Sequence, residues 1–235
     1  ELFPALEILD KIKESNIKDV YEAFEVSTKK TLKHPIYEKL TSLSRKIITT
    51  NYDTLIEYNT EIEVIDPSSP FKLSKLDNAD EFILKIHGNC NAIDHAIIFS
   101  SDYDALYRSN DGLAKFQLQK LISSHSCLFV GFSLNDPYIN RLFNTLDSMY
   151  NGLGTEHFVI ATDEISHKFV ETIKVNNFNE ISDAIDTLIE IKYRESPVNH
   201  QIEPSTKKTQ EVITSSRENL LHGQDAPPKI EYWAG

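Results

Sequence analysis

Three short apolar runs break off abruptly into clusters of polar and small residues, and this pattern constrains the fold more than any other feature. Ile47-Ile48-Thr49-Thr50 leads into Asn51-Tyr52-Asp53. Ile83-Leu84-Lys85-Ile86 leads into His87-Gly88-Asn89, and Cys127-Leu128-Phe129-Val130 leads into Gly131-Phe132-Ser133-Leu134-Asn135-Asp136-Pro137. Short apolar runs of this kind read as buried strands. In a parallel α/β sheet the ligand chemistry collects at the carboxyl ends of the strands, so three polar clusters at three strand ends imply one shared crevice.

The segments between these runs are mostly helical in pattern. Leu6, Leu9, Ile12, Ile17, Val20, Tyr21 and Phe24 recur at helical steps, and Pro35 marks a break, so residues 2–43 are expected to form two or three helices. Helices are also expected from Thr54 to Tyr58, from Ser101 to Tyr107, over Leu113–Ser123, from Asp136 to about Tyr150, and over 165–175 and 180–191. Short strands are expected at 61–65, 96–99 and 157–161, with a surface loop over 66–80. Strands alternating with helices predict a Rossmann-like, doubly wound parallel sheet. Residues 1–193 read as one domain. From Arg194 the composition turns to Ser, Pro, Gln, Glu and Lys, and 194–235 read as a linker or partner-docking tail.

Charge and cysteine usage narrow the function classes. With 24 Lys plus Arg against 36 Asp plus Glu, the formal charge is −12, which disfavours direct nucleic-acid binding by this segment. Cys90 and Cys127 are the only cysteines and lack the paired spacing of a zinc site, which fits a reducing, cytoplasmic setting. Cys127 reads as a small buried hydrophobe, and Cys90 beside His87 as either that or a thiol nucleophile. No apolar run approaches the roughly 20 residues of a membrane span.

Each candidate site residue has a structural reading beside its chemical one. Asn51 and Asp53 could cap a helix or form a turn, yet two Thr residues precede them, so several hydrogen-bonding groups meet at one strand end. His87 stands between an apolar strand and a glycine that permits close approach. A neutral imidazole there suits a general base. Gly131 and Ser133 could receive a nucleotide or simply form a tight turn, and Asp136 reads as a helix N-cap.

Ile-Thr-Thr-Asn-Tyr-Asp at 48–53, Lys-Ile-His-Gly at 85–88, Ser-Asp-Tyr at 101–103 and Val-Gly-Phe-Ser-Leu-Asn-Asp-Pro-Tyr-Ile at 130–139 resemble, in this order and spacing, the sirtuin-like domains of bacterial antiviral defence proteins. The resemblance covers roughly residues 1–162. It implies a Rossmann-like sheet with a helical insertion and NAD as ligand. Many members hydrolyse NAD to ADP-ribose and nicotinamide during phage infection, act as oligomers, and are fused or paired with a sensor or nucleic-acid-handling partner. By the same resemblance His87 is the catalytic histidine, with Asn51 positioning the reacting groups. Asp53 joins Asn51 on the nicotinamide side, Thr49 and Thr50 line the pocket, and Gly131 and Ser133 hold the adenosine-side ribose.

Two departures qualify that picture. Deacylating sirtuins carry a four-cysteine zinc module after the His-Gly motif, whereas this chain has two cysteines in all, so neither zinc nor protein deacylation is expected. The family also opens with a strand and a Gly-Ala-Gly-x-Ser-type loop that cradles the pyrophosphate, but every glycine here lies at position 88 or later. Glu1-Leu2-Phe3 resembles the helix after that loop, so the reading expects truncation at the amino terminus and loss of the main anion-binding element. The function expected is NAD glycohydrolysis within a defence system. The alternatives are a non-catalytic module that binds NAD or an ADP-ribose-type nucleotide, and an assembly scaffold.

Overall fold

The computed structural model describes residues 2–108, 112–131, 144, 154–165, 168–195 and 230–234. The first helix, α1 (Leu2–Thr28), is broken at Asn16, where φ is −160° and ψ 86°. The Asn16 side chain accepts from the Asp19 N–H at 3.4 Å and so restarts the helix as an N-cap would. Helix α2 (Pro35–Leu43) opens with Pro at its first position and with His34 accepting from the Ile36 N–H. The helices expected over 2–43 are thus present.

The sheet is built from β1 (Lys46–Thr49), β2 (Val64–Ile65), β3 (Phe82–Lys85), β4 (Ser126–Val130), β5 (His157–Ala161), β6 (Val170–Lys174) and β7 (Ile230–Ala234). Every pairing is parallel and the order is β2-β3-β1-β7-β4-β5-β6. All residues of β3 and β4 are buried, as in a parallel sheet covered on both faces. Helices α3 (Leu55–Thr60), α4 (Pro70–Ser74), α5 (Ser100–Arg108), α6 (Leu113–Ser124) and α7 (Ile181–Glu195) complete the main elements. On one face Ile48, Leu84, Ile86 and Phe129 pack against Tyr103, Tyr107, Leu118 and Ile122 of α5 and α6. On the other, Ile47 and Ile83 meet Ile56 of α3, while Leu128, Val130 and Ile160 meet Leu40 and Leu43 of α2 and Ile185 of α7. The fold is therefore a mixed α/β, Rossmann-like, doubly wound sheet.

Several local expectations are corrected. Residues 165–175 were expected as helix, yet Val170–Lys174 form β6, because β-branched Val170, Thr172 and Ile173 find a pairing partner in β5. No strand forms at 96–99. Instead a 3-10 segment (Cys90–His95) leads in, and Ile97 ties the stretch to the site, its N–H donating to the His87 carbonyl and its carbonyl accepting from the Tyr52 hydroxyl. The loop expected over 66–80 contains α4 and a 3-10 turn (Leu76–Asn78), whose Leu73 and Leu76 are buried. The helix expected from Asp136 to about Tyr150 lies outside the described residues.

The largest rearrangement of the linear order involves β7. It comes from the stretch read as linker or tail, but it occupies the middle of the sheet, between β1 and β4. Residues 196–229, which precede it, lie outside the described residues.

Candidate functional site

Strand register brings the three polar clusters to one edge. Thr49 pairs with Lys85 on one side and with Ala234 on the other, and Ala234 pairs with Val130. The ends of β3, β1, β7 and β4 are therefore level, and the residues that follow them open onto the same carboxyl edge of the sheet. Two glycines enable the exits. Gly131 follows β4 with φ +64°. Gly88 has φ +87°, and a Cβ there would lie 2.9 Å from the Ala96 Cα, so a side chain is excluded on both counts.

His87 is enclosed. Only 4% of its surface is exposed, and its ring lies edge-on to Tyr103 and Tyr107 with Tyr52 nearby. Its Nε2 is 2.7 Å from the Tyr107 hydroxyl. Burial pushes its pKa down to about 3, against the opposing effect of a hydrogen bond to the Thr50 backbone. A backbone bond that favours the charged ring is one the ring donates, to the Thr50 carbonyl. The remaining lone pair, on Nε2, then accepts from the Tyr107 O–H. The imidazole is thus neutral at physiological pH, as a base must be, but its lone pair is already engaged.

Asn51 and Asp53 play different parts. Asn51 donates its backbone N–H to Thr49 Oγ1 at 3.1 Å, and its half-buried carboxamide forms no hydrogen bond with another described residue. The Asp53 carboxylate is turned to local structure: Oδ1 accepts from the Leu55 N–H at 2.9 Å in a turn that leads into α3. Thr49 is fully buried, and Thr50 contributes the backbone contact to His87. Structure therefore brings together Thr49, Thr50, Asn51, Asp53 and His87, with Gly131 at the level of the same edge. Ser133 lies outside the described residues, as does Asp136. Cys90 is buried, its N–H bonded to the Tyr52 carbonyl, and Cys127 is buried in β4.

Residue-by-residue reading missed the contacts made by Tyr107 and Lys85. Tyr107 stands four residues after the Tyr103 of the Ser-Asp-Tyr motif, one helical turn along α5, and that spacing was the available signal. Lys85 is inside the Lys-Ile-His-Gly motif, but a lysine in an apolar strand carries no indication of its partner.

The model of the SIR2-like domain matches residues 45–180, more than half of the chain, and the chain belongs to that family. Two proteins named NAD(+) hydrolase ThsA are similar to it. The one from Enterococcus faecium is 26% identical over 128 residues, covering 53% of this chain and 27% of the relative. The one from Bacillus cereus is 26% identical over 168 residues, covering 60% and 35%. Defense-associated sirtuin 2 of Bacillus subtilis is 25% identical over 146 residues, covering 55% of this chain and 13% of that protein. The chain thus spans about a third or less of the length of these relatives. Among the described residues no helix is long and apolar enough to cross a membrane.

Proposed function

We propose that this chain is the NAD-cleaving domain of an antiphage defence protein, converting NAD to ADP-ribose and nicotinamide. The observation that carries the reading is the placement, at one strand edge of a SIR2-like domain, of a neutral, buried His87 and of an Asn51 carboxamide that bonds no other described residue. Relatives named as NAD(+) hydrolases and as a defence-associated sirtuin support the same chemistry.

The N-glycosidic bond to nicotinamide breaks through an oxocarbenium-like state, and water adds to the ribose carbon while losing a proton. His87 is the group that takes that proton, directly or through a ribose hydroxyl. Asn51 orients the reacting groups, since a carboxamide both donates and accepts. Thr49, Thr50 and Asp53 shape the nicotinamide side, and Gly131 with Ser133 receives the adenosine-side ribose. The domain works in a homo-oligomer, in the cytoplasm, coupled to a sensor partner. Zinc has no part in the reaction.

One contact gives weight to a second reading, in which the domain holds NAD or an ADP-ribose-type nucleotide without cleaving it. Tyr107 occupies the His87 lone pair, and a base held in that way is idle until the contact opens. Chromatography of NAD incubated with the full-length protein, its partner and its trigger separates the two. Nicotinamide and ADP-ribose from the unmodified protein and none from His87→Ala support the hydrolase. Intact NAD recovered from a stable complex overturns it in favour of the binding module.

A further inference from the structure

Lys85 is a cation in the interior. It lies on β3 opposite Thr49 of β1, and 1% of its side chain is exposed. Its Nζ donates to the Asp53 carbonyl and, at 2.7 Å, to Glu57 Oε1. The first contact grips the turn that carries Asn51. The second grips α3, the helix into which that turn runs, within its first turn. One ammonium therefore bridges the turn after the strand and the helix that follows it.

Stability alone is a poor reason for this arrangement. Buried ion pairs roughly break even against hydrophobic residues of the same volume, because desolvation cancels much of the Coulomb attraction. This pair is also incompletely satisfied, since Glu57 Oε2 is buried with no hydrogen-bond partner. What the pair supplies that an apolar pair cannot is a directional hold on the Asp53 carbonyl.

We propose that Lys85, held by Glu57, is a positioning residue that fixes the Asn51 carboxamide in its reactive orientation. The inference rests on the NAD-hydrolase reading, and it places Lys85 and Glu57 behind the site, out of contact with substrate.

Lys85→Met alone would leave the Glu57 carboxylate buried without its cation and could simply unfold the protein. The informative variant is therefore Lys85→Met/Glu57→Leu in the full-length protein, compared with Lys85→Arg, which restores a donor. The double variant is expected to melt at or above the unmodified protein while its kcat for NAD falls on the order of 100-fold, the scale of an ångström-level misplacement. Lys85→Arg recovers part of that loss. Adding Asn51→Ala to the double variant should cost little more, because the two changes disable the same function and are not additive. Full kcat in the folded double variant, or an Asn51→Ala loss that multiplies undiminished, overturns the inference. Absence of NAD turnover in the unmodified protein defeats the hydrolase reading instead. The inference is then decided by NAD affinity in the same variants, where unchanged binding overturns it.

Discussion

Two histidines are buried to almost the same degree at opposite edges of this sheet. His157, 3% exposed, opens β5 at the amino edge, and its Nδ1 accepts from the Cys127 N–H of the neighbouring β4 at 3.1 Å. His87, 4% exposed, follows β3 at the carboxyl edge, and its Nε2 faces a phenol on a helix. The first ring does the work of a backbone carbonyl by satisfying a buried N–H. The second donates to the Thr50 carbonyl and accepts from a hydroxyl, a partner that can swing away or exchange for another O–H. Burial by itself does not distinguish the two rings; the edge of the sheet and the exchangeability of the partner do.

The sharpest way to break this comparison is to remove each ring. His87→Ala is expected to lower NAD turnover per folded molecule by about 10²- to 10⁴-fold, the usual share of a general base, and to cost some stability as well, because the Thr50 carbonyl and the Tyr107 hydroxyl lose the ring as a partner. His157→Ala should keep turnover per folded molecule, while stability falls by about 1–3 kcal/mol because the buried Cys127 N–H loses its ring acceptor. Equal losses of turnover in the two variants, measured by product chromatography beside thermal melts, would erase the distinction.

Next in size is Gly88→Ala. The left-handed φ and the 2.9 Å approach to the Ala96 backbone together predict destabilisation of about 1–3 kcal/mol, with loss of turnover as His87 is displaced. A denaturant titration showing an unchanged midpoint would mean that the His87 exit is pliable.

Tyr107→Phe tests the partner. Without the hydroxyl the His87 lone pair is free, and basal NAD turnover without the trigger should rise several-fold, on the order of a single hydrogen bond. A fall in turnover with NAD binding intact would instead make Tyr107 part of the proton path.

The smallest effect is in the pH dependence of stability. His87 takes up its proton near pH 6.5 when unfolded and near pH 3 when folded. The unfolded state therefore binds the extra proton between these values, so the contribution is fully present above about 6.5 and is lost as pH falls toward 3. In His87→Gln the slope of stability against pH should be shallower by up to one proton across that window, and an identical slope would place the ring in a more solvated setting.

Much of the site was legible before any coordinates. Ile47-Ile48-Thr49, Ile83-Leu84 and Leu128-Phe129-Val130 are short, apolar and rich in β-branched residues, so their strands and the polar ends beyond them follow from local pattern. Asn51 and Asp53 looked alike, however, and only the structure separates the carboxylate bonded to the Leu55 N–H from the carboxamide that bonds no other described residue. Local pattern also failed at Val170–Lys174, where pairing with β5 decided in favour of a strand.

What the sequence determined by itself is therefore the set of parts: strands with polar carboxyl ends, amphipathic α5, α6 and α7, and a histidine set between an apolar run and a glycine. Tertiary structure alone decided which parts meet. Tyr107 caps His87 from 20 residues away, Lys85 reaches Glu57 across 28, and β7 enters the sheet beside β1 although it lies at the other end of the chain. Periodicity reports which face of an element is apolar and is blind to what covers that face. The partners of a buried hydroxyl, ammonium or strand edge are chosen by the global demand that each be satisfied once water is gone.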